Sequence, residues 1–306
     1  MKKILSVLFF IYLASQAVAQ QLPLYTQYML NEFVINPAAC GKNNYFEAKS
    51  NNRYQWQGIT DAPRTYILSV NGPLKSRKVG VGGYLFTDIT GPTRRTGIYA
   101  NYAYHLKIND NIKLALGLSA GILQFSVDGS KITLHDNGDV ALGNGVQSVL
   151  LPDFGFGINL YAKDFSLGFS APQLVQNKLD FFESHSNVRS KLEDHYFING
   201  AYRIHLGDDI EVEPSAMVKI LKPVPTQIDV GLKAMYRELL WIGGAYRSRD
   251  AYSAMVGFEI KKHISFAYAH DFTFSNIKNY STGTHEIMVG LKFVRPPKEK
   301  LPEETK

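Results

Sequence analysis

The chain has 306 residues with 33 basic and 27 acidic side chains, which give a formal net charge of +6. The excess is small for this length and no basic block stands out, so the charge pattern excludes nucleic acid as an expected partner. The single cysteine, Cys40, excludes an intrachain disulfide, and we interpret it as a small buried residue.

Residues 1–19 have the features of a secretory signal peptide. Lys2 and Lys3 precede an apolar core from Ile4 to Ala14, and Ala17-Val18-Ala19 forms a small-x-small cleavage site. The core is too short to span a membrane comfortably, and no later apolar stretch reaches the length of a transmembrane helix. An exported chain of this kind is either a soluble all-β protein or an outer-membrane barrel.

Residues 20–44 form an N-terminal segment ahead of the first predicted strand. The spacing i, i+3, i+4 and i+8 places four large side chains on one face of a predicted short helix: Tyr25, Tyr28, Met29 and Phe33. Asn36 is biased away from the α conformation because Pro37 follows it, so the helix is expected to end there. An apolar face of this kind needs a partner surface, because it is unfavourable in water.

From about residue 45, apolar and polar residues alternate with a period of two, which is typical of strands. Tyr196, Ile198 and Tyr202, for example, share one face, whereas Asn199 and Ala201 share the other. The pattern predicts strands at 45–56, 64–72, 78–88, 93–107, 111–127, 152–162, 165–171, 194–206, 210–221, 227–237, 240–247, 251–261, 263–273 and 285–293.

These strands are longer than the usual five or six residues, and their connections alternate between short and long. Short turns are expected at Ile108–Asp110, Lys163–Asp164 and Gly207–Asp209, and long loops at 128–151 and 172–193. Short periplasmic turns and longer outer loops are typical of a bacterial outer-membrane barrel, whose even strand number returns both termini to the periplasm. We therefore predict an all-β fold, a closed antiparallel transmembrane β-barrel of about 14 strands in outer-membrane lipid.

The two faces of the predicted strands differ in chemistry. The outward face is aromatic near its ends, as at Tyr102, Phe154 and Phe293, whereas the inward face carries both charge signs and many small residues. Such a lumen suits ion pairs, water or an inserted segment. We expect residues 20–44 to be a plug-like segment that docks at the periplasmic end of the barrel through these residues: Tyr25, Tyr28, Met29, Phe33, Asn36 and Pro37.

No catalytic or metal-binding set stands out in the sequence. His270-Asp271 and His285-Glu286 look like acid–base pairs, but adjacent residues of a strand point to opposite faces and cannot reach one lumenal site. The histidines show no pairing suited to a metal. The glycines of "GVGGY" (Gly80–Tyr84) do not open a helix, so we interpret them as allowing strand curvature rather than as a phosphate loop. We therefore expect neither enzyme activity nor a cofactor.

Four stretches together resemble the PorP/SprF family of type IX secretion system membrane proteins, and the likeness covers essentially the whole mature chain. They are "YTQYMLNEFVINPAACG" (Tyr25–Gly41), "NRYQW" (Asn52–Trp56), "GVGGYLFTDITGP" (Gly80–Pro92) and "GTHEIMVGLKF" (Gly283–Phe293). Departures are Cys40, where the family more often has a small non-thiol residue, and residues 294–306, which we expect to be a disordered periplasmic tail after a 45–293 barrel.

The resemblance implies a non-enzymatic outer-membrane component of the type IX secretion and gliding apparatus. Such proteins are thought to support export or surface attachment of a partner, often a large adhesin. A channel for hydrophobic or small solutes is the alternative, since "NPA" also occurs in the hatch of fatty-acid transport barrels. That alternative requires an apolar lumenal pocket, whereas we expect a lumen of charged and small residues.

The second long loop holds an aromatic pair, Phe181 and Phe182, beside two acidic residues. An exposed aromatic pair often marks a contact site, so these rings are a candidate partner-contact surface. The alternative is that the rings fold back onto the mouth of the barrel.

Overall fold

A computed structural model describes residues 25–132, 145–175, 194–221 and 224–293, and its strands form one antiparallel sheet that closes on itself. The first and last strands pair from Phe46 opposite Phe293 to Tyr54 opposite His285. Every strand therefore has a neighbour on both sides, and this closure satisfies the backbone groups as a lipid environment requires. The predicted closed barrel of 14 strands is confirmed.

The barrel strands agree closely with the predicted ones. Two short pieces, β8 and β9, are parts of one barrel strand that is interrupted at Arg203, and both pair with β10. The strands are β1 (Phe46–Tyr54), β2 (Arg64–Pro73), β3 (Val79–Thr90), β4 (Thr93–Lys107), β5 (Lys113–Asp128), β6 (Val146–Tyr161), β7 (Phe165–Gln173), β8 (His195–Tyr202), β9 (Ile204–Leu206), β10 (Ile210–Leu221), β11 (Gln227–Tyr236), β12 (Leu240–Arg247), β13 (Ala251–Ile260), β14 (Ile264–Thr273) and β15 (Thr284–Phe293).

The two ends of the barrel differ in their connections. We call one the turn end, because its connections are the short segments 74–78, 108–112, 162–164, 207–209, 237–239 and 261–263. The other is the loop end, which has the longer connections 55–63, 129–145, 174–194 and 274–283 and the shorter ones 91–92, 222–226 and 248–250. At the turn end Arg237 and Glu238 both have positive φ values, 51° and 52°, the backbone of a type I′ hairpin turn.

The alternation of the sequence separates a lipid-facing wall from a lumenal wall. Leu232 and Val256 on the outer wall are 52% and 42% exposed, whereas Ser215 and Ala267 on the lumenal wall are 6% and 2% exposed. Outward aromatic residues lie toward both ends of the strands, among them Tyr102 and Phe293 in the turn-end half and Tyr252 and Phe272 near the loop end. Within the described ranges, no helix is long and apolar enough to cross a membrane.

Candidate functional site: the plugged lumen

Residues 25–42, which we call the plug, run through the lumen from its loop-end half to the turn end. They form a 3-10 turn (Tyr28–Leu30), one α-helical turn, α1 (Glu32–Ile35), and a second 3-10 turn (Pro37–Ala39). Asn36 caps the last turn, because its side-chain Oδ1 accepts a hydrogen bond from the Ala38 amide at 2.9 Å. Pro37 occupies the first position of that turn, where its missing N–H costs nothing.

The prediction of one continuous helix is wrong. Asn31 has an extended φ of −138°, which separates the first 3-10 turn from α1. Its side chain donates hydrogen bonds to Asn51 Oδ1 and Ser69 Oγ of the barrel wall. These bonds hold Asn31 in a non-helical conformation and interrupt the helix. The four large side chains therefore do not share one face.

The large plug side chains instead spread around the lumenal wall. Tyr28 packs with Ile35, Phe197 and Met217, and burial raises its pKa to about 12. Phe33 packs against Cys40 and Ala103. The remaining two lie at the edges of other clusters: Met29 beside Trp241 and Met255, and Tyr25 beside Phe86 and Tyr99.

The loop-end part of the plug is held by four charged wall residues that we call the clamp: Arg53, Arg247, Asp271 and Glu286. The Thr26 and Gln27 amides donate to the two carboxylate oxygens of Glu286 at 2.8 and 3.0 Å. The hydroxyl of Thr26 receives hydrogen bonds from Arg53 at 2.7 Å and Arg247 at 3.0 Å. The clamp therefore grips the backbone and the side chain of the plug together.

The clamp residues are almost completely buried and their charges balance. Arg53 pairs with Glu286 and Asp271, both at 2.9 Å, and Arg247 pairs with Asp271 at 3.2 Å. The side chains of all four are 1–3% exposed. A buried charge that loses its partner is strongly destabilising, so these pairs form a unit that depends on every member.

Glu32 holds the middle of the plug. Its carboxylate accepts hydrogen bonds from Asn159 and Asn199 at 3.0 and 2.9 Å, and it forms an ion pair with Lys42 at 3.0 Å. Burial acts to raise the pKa of Glu32, but the Lys42 charge and these hydrogen bonds outweigh it and hold the pKa below its ordinary value. The plug is thus tied to β6 and β8 through one ionised side chain.

Two wall glycines allow the plug backbone to lie directly against the barrel. A methyl group added at Gly117 would collide with the Pro37–Ala38 peptide, and one added at Gly80 would collide with the carbonyl of Cys40. We interpreted Gly80 as allowing strand curvature. The structure instead shows that the absence of its side chain makes room for the plug.

Cys40 is fully buried at the foot of the plug, in agreement with its interpretation as a packed small residue. Burial raises the pKa of its thiol to about 12. Its carbonyl oxygen lies 2.9 Å from His105 Nε2, and the other ring nitrogen of His105 lies 2.7 Å from the Tyr161 hydroxyl. Cys40 is therefore held as an unreactive thiol while the plug is in place.

One sector of the lumen toward the loop end is apolar, which the sequence analysis missed. Six buried side chains from five strands form it: Ile67, Phe86, Tyr99, Leu123, Phe125 and Leu151. Tyr25 and Val34 of the plug pack against this cluster. A signal was present, because Leu123 and Phe125 continue the inward phase of Ala115 and Ser119. The expectation of a largely charged or small inward face does not hold in this sector.

The turn-end half of the lumen holds an open cavity of about 870 Å³ beneath the plug. We call it the turn-end cavity. Its wall includes ion pairs between Lys233 and Glu213 at 3.0 Å and between Lys292 and Glu259 at 2.7 Å. The plug does not fill this cavity, and the predicted docking that closes or narrows the periplasmic end of the barrel stays a prediction. The plug fills the lumen toward the loop end, where clamp and apolar contacts are available.

The remaining predicted site residues differ in what can be said of them. Asn36 Nδ2 donates to the Ile158 carbonyl at 3.1 Å, so Asn36 and Pro37 lie against β5 and β6. Phe181 and Phe182 lie outside the described residues, as do residues 1–24 and 294–306. In the part of the chain that the structure describes, no group of three or more His, Cys, Asp or Glu side chains is arranged to hold a metal.

The apolar outer wall, the closed sheet and the lumenal plug together define a plugged β-barrel of the outer-membrane class. The chain belongs to the family of type IX secretion system membrane proteins PorP/SprF, whose profile matches residues 17–291. Among curated proteins, none matches the chain.

Solved structures with a similar fold include a FadL homologue and a toluene transporter. A Pseudomonas aeruginosa FadL homologue is 12% identical, with a TM-score of 0.51, over 84% of this chain and 92% of that one. The P. putida toluene transporter TodX is 10% identical, with a TM-score of 0.50, over 87% of this chain and 95% of that one. At these identities the likeness establishes a shared fold.

Proposed function

We propose that this protein is a non-enzymatic component of the type IX secretion or gliding apparatus in the outer membrane. It supports export or surface anchoring of a partner protein such as an adhesin. The turn end faces the periplasm and the loop end faces outward, since short turns are periplasmic in bacterial barrels. The observation that carries this proposal is a lumen filled by a clamped plug above a cavity that is lined by residues of the turn end, such as Asn111, Lys163 and Lys262.

A firmly held plug suits anchoring better than conduction. The buried clamp holds the plug through hydrogen bonds to Thr26 and Gln27, and Glu32 ties the middle of the plug to two wall strands. Moving such a plug requires breaking hydrogen bonds that it makes to buried charged side chains, which is costly because those charges are left with fewer partners. A channel that opens for each solute would need a weaker hold.

The turn-end cavity is the proposed docking site for a polar segment of a machinery component. Its wall alternates lysine and glutamate side chains that are partly exposed, so it offers donors and acceptors without a single charge sign. A volume near 870 Å³ is comparable to that of a typical ligand pocket and accepts a few residues of peptide.

A charge reversal in the cavity tests this proposal. Lys113→Glu places a carboxylate on the cavity wall, whereas Lys107→Glu makes the same change at the directly paired position of β4, outside the cavity. We expect machinery components to copurify with the Lys107→Glu variant from native outer membrane and to be depleted several-fold with Lys113→Glu. Equal copurification of machinery components with both variants would show that the cavity is not their docking site.

The apolar lumenal cluster supports a second candidate, a channel for hydrophobic solutes. The cluster around Phe86 and Tyr99 borders a small pocket that also contacts Tyr25 and Pro172. TodX, which shares the fold, is a toluene transporter. Uptake of a monoaromatic hydrocarbon into liposomes that contain the intact protein, at a rate above that of empty liposomes, would favour this function over anchoring.

A further inference from the structure

The lipid-facing wall changes its chemistry toward the loop end on neighbouring strands. The outward residues, in order toward that end, are Phe266, Tyr268 and His270 on β14, and Leu68, Tyr66 and Arg64 on β2. On β15 the same order runs from Ile287 to His285. Each strand thus passes from an apolar or aromatic level to a nitrogen base, and on β14 the exposed ring of Phe272 follows His270 toward the loop end, so the bases lie within the aromatic girdle.

The strand register places these bases side by side. His270 lies opposite His285, His285 opposite Tyr54, and Tyr54 opposite Arg64. Adjacent strands are about 4.8 Å apart, so the four residues occupy a strip about 14 Å wide. That width matches a headgroup with more than one charged group rather than a single ion.

A side-chain contact orients the ring of His285 within the strip. The Tyr268 hydroxyl lies 2.7 Å from His285 Nδ1, and the rings of His270 and His285 are 4.7 Å apart. When the hydroxyl donates to Nδ1, the ring hydrogen of His285 lies on Nε2, where it is available as a donor. Arg64 is exposed at the end of the strip.

The strip contains no carboxylate that would neutralise it. Asp271 and Glu286 adjoin the two histidines in sequence, but they point into the lumen and are 2% and 1% exposed. Aromatic rings flank the strip on the side of the membrane centre, at Tyr66 and Tyr268, whereas Tyr252 and Phe272, both 56% exposed, lie beyond it toward the loop end. Aromatic rings of this kind sit at the boundary between acyl chains and headgroups.

We propose that the strip of His270, His285, Tyr54 and Arg64 binds the phosphate groups of a phosphorylated glycolipid in the outer leaflet. The guanidinium of Arg64 and the imidazole N–H groups are suited to phosphate oxygens, and Arg binds them in a bidentate manner. The flanking rings pack on the first acyl-chain carbons. The assignment to the outer leaflet rests on the proposed orientation, with the loop end outward.

Native mass spectrometry of the purified full-length protein tests the proposal without any secretion component, so its outcome is independent of the anchoring function. The probes are lipid A with both phosphates, the same lipid dephosphorylated, and phosphatidylglycerol. We expect retention of lipid A alone. Arg64→Gln should weaken that retention about tenfold, because it removes a charge-assisted contact.

Arg249→Gln is the matched control, since it removes an exposed arginine from a loop-end turn outside the strip. Heat-modifiable migration in gels verifies that each variant remains a folded barrel. His285→Gln, which removes the imidazole from the middle of the strip, should weaken lipid A retention as well. Equal retention of the dephosphorylated lipid or of phosphatidylglycerol, or unchanged retention by Arg64→Gln, would overturn the proposal.

Discussion

The loop-end and turn-end halves of the lumen use the same charged residue types in opposite ways. At the loop end, Arg53 and Arg247 are 2% and 3% exposed and hold the plug. At the turn end, the Arg203 side chain is 40% exposed, and its carboxylate partners line an open cavity. Charge content therefore does not distinguish the two halves, whereas burial does.

This difference distinguishes charged side chains that stabilise the fold from charged side chains that are free to bind a partner. A buried pair that loses one member is destabilising by about 3–5 kcal/mol, whereas an exposed pair contributes about 0–1 kcal/mol. The loop-end pairs thus fix the position of the plug. At the turn end, the ion pairs of the exposed Arg203 contribute little to folding and can exchange partners with an incoming chain.

Removing the plug should produce the largest effect, because it is the element that makes the halves different. Deletion of residues 25–38 takes away the side chains that fill the loop-end lumen, while the closed sheet retains all its strand pairs. We expect the barrel to insert and to pass severalfold more current in planar bilayers than the intact protein. Unchanged current would show that the plug does not seal the lumen.

Removing one charged side chain from each half tests the comparison between buried and exposed ion pairs. Arg53→Ala leaves Glu286 and Asp271 without their shared cation, so we expect a loss of about 3–5 kcal/mol in the free energy of unfolding. Arg203→Ala, the matched control, should cost at most about 1 kcal/mol. Urea titrations of the two variants in lipid vesicles measure both values. Equal losses in the free energy of unfolding would contradict the view that the loop-end charges stabilise the fold and the turn-end charges do not.

A small steric change should loosen the plug without touching a charge. Gly117→Ala forces the Pro37–Ala38 peptide away from the wall, and overpacking of this kind costs about 1–3 kcal/mol. Gly244→Ala is the control, because its added methyl meets only ordinary contacts. Cys40, the single cysteine, reports the result, since a loosened plug exposes its thiol to dithiodipyridine. Labelling at the same rate in both variants would contradict the close approach at Gly117.

Acid should have the smallest effect, and it acts through Glu32. The folded pKa of Glu32 lies below its ordinary value, so its ionisation stabilises the docked plug above the unfolded pKa of about 4.3. That contribution is lost as the pH falls through the folded pKa. We expect Cys40 labelling to accelerate below about pH 4, and a Glu32→Gln variant to show no such acceleration from this group. Identical pH profiles for both proteins would exclude Glu32 as the source.

The barrel was predictable because its determinants are local in sequence. Alternation with a period of two places Leu232 and Ser215 on opposite faces wherever the strand lies in the sheet, and turn residues such as Gly207–Asp209 end the strands. Closure followed from the requirement that lipid imposes on backbone groups. Neither inference depends on which strands meet across the lumen.

The site was less predictable because its contacts join distant parts of the chain. The sequence showed that the plug needs a partner surface, but not that Asn31 would be captured by Asn51 and interrupt the helix. The clamp could not be predicted from the sequence, because its residues also come from distant parts of the chain. Glu286 was considered only beside His285, whereas its actual partner is Arg53, which the register of β1 with β15 brings opposite it.

The clamp has a consequence for the order in which the molecule assembles. The Thr26 amide and Glu286 are 260 residues apart in sequence, and Arg53 and Glu286 are 233 apart. These contacts form only after the final strand has joined the first, so docking of the plug is a late folding step. A slip of one residue in that last pairing would turn Glu286 toward lipid and leave Arg53 buried without it. The clamp therefore favours the correct register, because it stabilises the plugged barrel only when β1 and β15 pair without a slip.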